Sequence, residues 1–336
     1  RILNKITFRL NPWSITSGGC LQNTLDINCC DILFKGACEG NSFGRECQNN
    51  VIETDGKGNI FGHYCNNNRI EAYCEDNIYG DYCEGNMLAS ECLSNIFGFS
   101  CDNNTLDESC CNNRFGNNCT NNKLAANAGS NILMDGCKNN QLFPVAIGNT
   151  LNTSCENNKI YDYCENNTLG IECKDNSIGT YCEDNICGDY CEGNILCGSN
   201  HNITFGQKCT YNEVGPESYI VSLGAECTYN HLGITTGTNI NGRVDHIEFL
   251  DNCKHNNVGA NSNNIKLGRS CEYNIFGESR DTNEDERDYS HNSYISLCDG
   301  LVSNSFVGLC EDISLNNPDN DFSGYYSSVN NNINYS

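Results

Sequence analysis

Cysteine recurs in this chain with a period of nine. It stands at positions 20, 29, 38 and 47, then 65, 74, 83, 92, 101, 110 and 119. It continues at 137, 155, 164, 173, 182 and 191, then 209 and 227, so that every gap in the series is 9 or 18 residues. A fixed period constrains a chain more than any single residue does, because each unit must bury its apolar side chains against copies of itself. The unit reads C-x-x-N-x-U-G-x-x, where U is apolar and glycine is frequent; CEDNIYGDY at 74–82 and CLSNIFGFS at 92–100 are examples. The fourth place is Asn, and the sixth is apolar, in eighteen successive units from Asn41 to Asn194.

Nine residues are too few for a helix-pair repeat, which needs roughly 30 or more. The N-x-U triplet suits a short extended segment whose first and third side chains share one face. Asn and Gly both tolerate positive φ, so these two residues are expected to supply the bends. The expected fold is all-β: a single-stranded parallel β-solenoid. Proline is scarce (4 residues), which agrees, since each inner strand donates to the next coil. The slots without cysteine are Gly56, Ala128, Ala146, Asn200, Ser218 and Thr236, and all six fall on alternate units. Alternate units therefore occupy different environments, and the coil is two nonapeptides, 18 residues, with two unlike faces. From Cys20 to Cys310 that gives about sixteen coils and a rod roughly 75–80 Å long.

The expected organisation follows the register. Residues 1–19 form an opening strand or N-terminal cap, and 20–231 the regular solenoid. Cys227 to Cys253 spans 26 residues, one short of three units, so 232–252 should hold a register slip or bulge. Residues 253–310 continue as a less regular solenoid, and 311–336 form a C-terminal cap or tail. The chain opens on Arg1 and is expected to be processed or part of a longer one.

The net charge of -24 disfavours a nucleic-acid partner. No run of about 18 apolar residues exists to cross a membrane as a helix. The 27 cysteines invite a disulfide framework, a metal site, or a bland role as small buried apolar residues. Stacked cysteines would stand about 4.8 Å apart, beyond ordinary disulfide geometry, and zinc-type spacings are missing. The substitutes in the cysteine slots are all small, which favours the bland role and assembly in a reducing compartment. The expected cysteine column includes Cys74, Cys83, Cys92, Cys101, Cys155, Cys164, Cys173 and Cys182. The fourth-place column includes Asn41, Asn50, Asn68, Asn77, Asn149, Asn158, Asn167, Asn176 and Asn185. It reads as an inward amide ladder rather than an exposed stripe for sugar or ice.

Acidic residues often follow the cysteine, among them Glu75, Glu84, Asp102, Glu156, Glu165, Glu183 and Glu192. Ca2+ could relieve their repulsion along a column, and Asp281, Asn283 and Asp285 mimic half of an EF-hand loop, but Glu286 replaces the needed Gly. A solvated acidic face is the simpler reading. No cofactor, catalytic or metal residues are expected: the six histidines have no recognisable spacing, and with 43 acids some carboxylate pair is inevitable.

The tandem C-x-x-N-x-[FIL]-G pattern over residues 20–310 resembles repetitive tail-fibre and adhesin proteins of bacteriophages infecting gut Bacteroidota, the crAss-like group among them. The resemblance implies a virion fibre or spike, assembled in the host cytoplasm, that acts as a rigid shaft presenting a host-attachment surface. It implies other fibre or tail proteins and a host-surface glycan or receptor as partners, with a homotrimer as a possible state. The alternatives are a cell-surface or secreted solenoid that binds glycans or cations, and a polysaccharide depolymerase.

Overall fold

In the computed structural model the chain is all strand, with parallel sheets stacked as a β-solenoid of about 13 turns and about 18 residues per turn. The structure describes residues 21–233 and 244–276, apart from a few single positions, together with the backbone of short strands outside those limits. The sixteen coils expected over 20–310 thus extend past the well-described part of the chain. Two compact units are present, Arg1–Cys164 and Glu165–Ser336.

In the first unit each nonapeptide contributes one two-residue strand at its fifth and sixth places. Strands from alternate nonapeptides pair in parallel: Ile60–Phe61 with Ile78–Tyr79, and Arg69–Ile70 with Met87–Leu88. Two sheets result, one per nonapeptide of the coil. Their cores differ in shape. The first sheet stacks Phe43, Phe61, Tyr79, Phe97 and Phe115, with centroids 4.5–4.7 Å apart and planes within 10°. The second buries Ile52, Ile70, Leu88, Leu106 and Leu124. Cysteine at the first place, Asn at the fourth and the apolar sixth residue all point inward and are buried. The second unit repeats the plan, as in Ser177–Ile178 with Ile195–Leu196.

The corners differ from the sequence expectation. Apart from Gly36 and Gly233, positive φ falls at the third and ninth places rather than at the fourth-place Asn or the seventh-place Gly: Asp76 has φ 56, Tyr82 φ 59, Asn67 φ 55 and Tyr73 φ 63. These left-handed residues turn their N–H toward the following coil, as Tyr64 does to the Asp81 carbonyl at 3.0 Å. Strand residues donate to the preceding coil, as Ile78 does to the Asn59 carbonyl at 2.9 Å. Backbone donors thus stay paired through the bend. The seventh-place glycine serves close approach instead: a Cβ on Gly62 would lie 2.8 Å from the Gly44 carbonyl oxygen below it.

The register change falls within the expected 232–252. Leu232 pairs with Val258 and Ser218 with Val244, both 26 residues apart instead of 18. The eight additional residues lie between Gly233 and Val244, and pairing resumes with the strand Val244–Phe249. The residues between Gly233 and Val244, the EF-hand-like 281–286 and most of the expected caps at 1–19 and 311–336 lie outside the described residues.

Candidate binding surface

The inward residues form closed hydrogen-bond ladders. Asn59 Nδ2 donates to Asn77 Oδ1 at 3.0 Å and to the Cys38 carbonyl at 3.1 Å, and the Asn59 N–H donates to the same Oδ1 at 3.0 Å. The Asn59 Oδ1 in turn accepts from Asn41 N–H and Nδ2 at 3.1 and 2.9 Å. Asn50 and Asn68 repeat this on the other sheet. In the second unit Asn167 donates to Asn185, and Asn176 to Asn194. Asn149 and Asn158 accept from Asn131 and Asn140 within the first unit.

The thiols complete the carbonyl pairing. Cys83 and Cys101 donate to the carbonyls of Gly62 and Gly80 at 3.3 and 3.2 Å, and Cys92 and Cys155 to those of Glu71 and Met134 at 3.4 and 3.3 Å. Each acceptor is a seventh-place residue, where the chain leaves the strand. Cys74, Cys164, Cys173 and Cys182 are buried in the same columns, and all the described cysteines are free thiols. Burial pushes the Cys187 thiol well above its ordinary value. These residues maintain the fold and face no solvent, so a ligand surface must be built from the outward places.

The outward places also form columns. Some acids cap backbone: Asp81 Oδ1 accepts the Phe99 N–H at 2.8 Å, and Asp189 Oδ1 that of Gln207 at 2.7 Å. Second-place residues pair up the stack, Lys57 with Glu75 and Lys174 with Glu192, each at 2.8 Å. Acids that follow the cysteine are thus often matched by lysine one coil away. Exposed rings stack as well: Tyr64 on Tyr82 at 5.1 Å, and Tyr211, Tyr229, His255 and Tyr273 in sequence at 5.0–5.2 Å with planes within 8°. His201 and His255, scattered in sequence, here join columns of rings.

One stretch of the second unit departs from the pattern. Along the first sheet the fourth-place Asn gives way to Ile203, Val221, Ile247 and Ile265, all buried and paired in register. An aliphatic side chain cannot cap the backbone as Asn does, and the strands lengthen to His201–Phe205, Ser218–Leu223, Val244–Phe249 and Asn263–Leu267. The Asn ladder ends at Asn185, whose buried Nδ2 has no partner because Ile203 offers no acceptor. Outside, the widened strip carries Glu183, His201 and Tyr219 in one column, with the buried Asp245 after them. His201 and Tyr219 rings lie 5.0 Å apart but splay at 48°, unlike the flat Tyr64–Tyr82 and Tyr211–Tyr229 stacks and the edge-to-face Tyr82–Phe99 pair at 86°. Beside them Glu248 and Lys266 form an ion pair at 2.6 Å. The sequence signal, Asn replaced by Ile or Val at four successive alternate units, was there to be found.

Comparison with protein-family models and with curated proteins returns no match. Among solved structures the chain is similar to a mutant tailspike of E. coli bacteriophage HK620 in complex with a hexasaccharide, at 10% identity and TM-score 0.20, over 97% of this chain and 71% of that one. It is also similar to a PL6-family alginate lyase, at 9% identity and TM-score 0.18, over 98% and 94% of the two chains. A third is an endo-xylogalacturonan hydrolase from Aspergillus tubingensis, at 10% identity and TM-score 0.14, over 96% and 91%. At these TM-scores the likeness carries no argument for fold or function.

Proposed function

We propose that this chain is a structural and adhesive β-solenoid of a phage tail or head fibre, a stiff shaft that displays a host-attachment surface. The observation that carries the reading is the uniformity of the ladders. In each unit at least one sheet is closed turn after turn by the same amide and backbone bonds, which is the construction of a load-bearing element rather than of a mobile one. The exposed columns of rings give such an element something to present. Its partners are then other fibre or tail proteins and a glycan or receptor on the host surface, with trimers as the natural assembly to test.

The test is direct. Antibodies raised against the chain should decorate particles in electron micrographs of a phage lysate, and the chain should co-sediment with them. If it is found only free in solution or on the bacterial surface, the fibre reading is wrong. A cell-surface or secreted glycan-binding protein, which the same exposed rings would serve, then takes its place.

A further inference from the structure

We propose that the widened strip of the second unit is a binding site for a neutral polysaccharide, with the splayed His201–Tyr219 pair as its platform. The proposal deepens the adhesive reading and rests on it. A pyranose ring offers an apolar C–H face and a rim of hydroxyls, so its recognition needs an open aromatic face with hydrogen-bonding groups close by. In the flat stacks the ring faces cover one another, as in Tyr211 and Tyr229 at 8°. An inner ring of such a stack, as Tyr229 between Tyr211 and His255, is covered on both faces. At 48° the His201 and Tyr219 rings leave part of each face open, and both side chains are exposed. No third ring lies in register with the pair, since Glu183 precedes it and Asp245 follows it. Thr204 and Ser222 stand in register beside the platform and supply hydroxyls.

A second observation falls on the same strand. Ile220 follows Tyr219, is 47% exposed and holds φ 55. A β-branched residue in the left-handed region is strained, and such strain gathers where a surface has a job beyond stability. Elsewhere the third place of the repeat is filled mainly by Asn, Asp, Ser and Gly, which take this conformation more easily. Here it holds an exposed apolar side chain next to the platform.

Charge selects the class of glycan. Glu248 is paired with Lys266 at 2.6 Å, while Glu183 and Asp245 flank the platform in its own column and would repel an acidic glycan. The chain as a whole carries -24, which repels uronate-rich polymers. An uncharged polysaccharide meets neither obstacle.

Native electrophoresis of the full chain through gels containing dextran, galactomannan or laminarin, with alginate as the acidic comparator, tests the site. At least one neutral polymer should retard the protein and alginate should not. Tyr219→Ala and His201→Ala should each weaken retardation at least tenfold, while Lys123→Ala, on an exposed strand position far along the chain, leaves it unchanged. Ile220→Asn should weaken retardation yet raise the melting temperature, a pairing that a merely structural residue would not give. Retardation by alginate alone, by none of the polymers, or undiminished in a folded Tyr219→Ala variant would overturn the proposal. Particle labelling separates the two readings. A labelled particle whose chain binds no neutral polymer removes this site and leaves the fibre, whereas binding by a chain absent from particles removes the fibre and leaves the site.

Discussion

Asparagine owes its place in this repeat to valence. Its amide has two N–H donors and an oxygen that accepts twice, and the fourth place offers partners for all four. Asn104 shows the complete set: Nδ2 to Asn122 Oδ1 and to the Cys83 carbonyl at 3.0 and 3.3 Å, and Oδ1 accepting from Asn86 N–H and Nδ2, both at 3.0 Å. Asn104→Ala strands buried groups on two neighbouring coils, and urea denaturation should show a loss of about 3–5 kcal/mol. The reverse case is Tyr79, whose buried hydroxyl has no partner within the aromatic stack. Tyr79→Phe removes that orphan and keeps the stack, so stability should rise by about 1–2 kcal/mol in the same assay. Burial also sets a pH dependence. The Cys187 thiol and the Tyr79 phenol are both pushed up, so each remains protonated in the folded chain at a pH where the unfolded chain ionises. Their contribution is complete below the unfolded thiol value of about 8.5 and is lost as pH rises beyond it. Stability should therefore be flat below about pH 8 and fall above it, by up to about 1.4 kcal/mol per unit for each such group. Cys187→Ala should flatten part of the decline.

At the level of the strand and its corner, the seventh-place glycine and the third-place glycine do different work, and substitution separates them. A Cβ on Gly116 would lie 2.5 Å from the Gly98 carbonyl oxygen, whereas a Cβ on Gly58 meets nothing within 4 Å and only its φ of +61 resists. Gly116→Ala should therefore cost about 2–3 kcal/mol and Gly58→Ala about 1, compared by chemical denaturation. Equal losses would mean that coil spacing does not depend on the missing Cβ. This distinction marks the limit of what the sequence reveals. The period, the two-nonapeptide coil and the inward columns of Cys, Asn and apolar residues are legible because one residue type repeats at each of those places. The corners are not. Their left-handed residues at the ninth place include Tyr82, Glu91, Ser100 and Lys208, which share a backbone conformation and no side-chain signature. Attention goes instead to the conspicuous Gly and Asn. The widened strip is legible in principle, since Ile203, Val221, Ile247 and Ile265 replace Asn in phase, but the replacement looks like decay of a motif until pairing shows it to be a different strand.

For the whole molecule the question is what a solenoid tolerates, and the two unlike faces give a specific answer. A protein built from nearest-neighbour contacts should lose a complete coil with little harm beyond that coil's share of stability. Deleting residues 92–109 joins Glu91 to Cys110 and sets Phe115 directly over Tyr79 and Leu124 over Leu88, so each stack keeps its own kind of side chain. Deleting only 92–100 retains the nonapeptide phase, the Cys column and the Asn column, yet exchanges the faces: Leu106 then falls over Tyr79 and Phe115 over Leu88. Rings that stack at 4.7 Å would meet branched aliphatic chains at the junction on both sheets. The fold makes one such change natively, from Phe115 to Leu133 on a single sheet, but two in the same coil must be absorbed together, by repacking or by a shift of the backbone. The 18-residue deletion should unfold in one cooperative step with a denaturant slope reduced only in proportion to the surface removed. The nine-residue deletion, although it removes less chain, should be the less stable by several kcal/mol and should unfold over a broader range. Were the shorter deletion to match the longer one, the two faces would be interchangeable, and the 18-residue coil would be a matter of path length alone rather than of paired, chemically distinct walls.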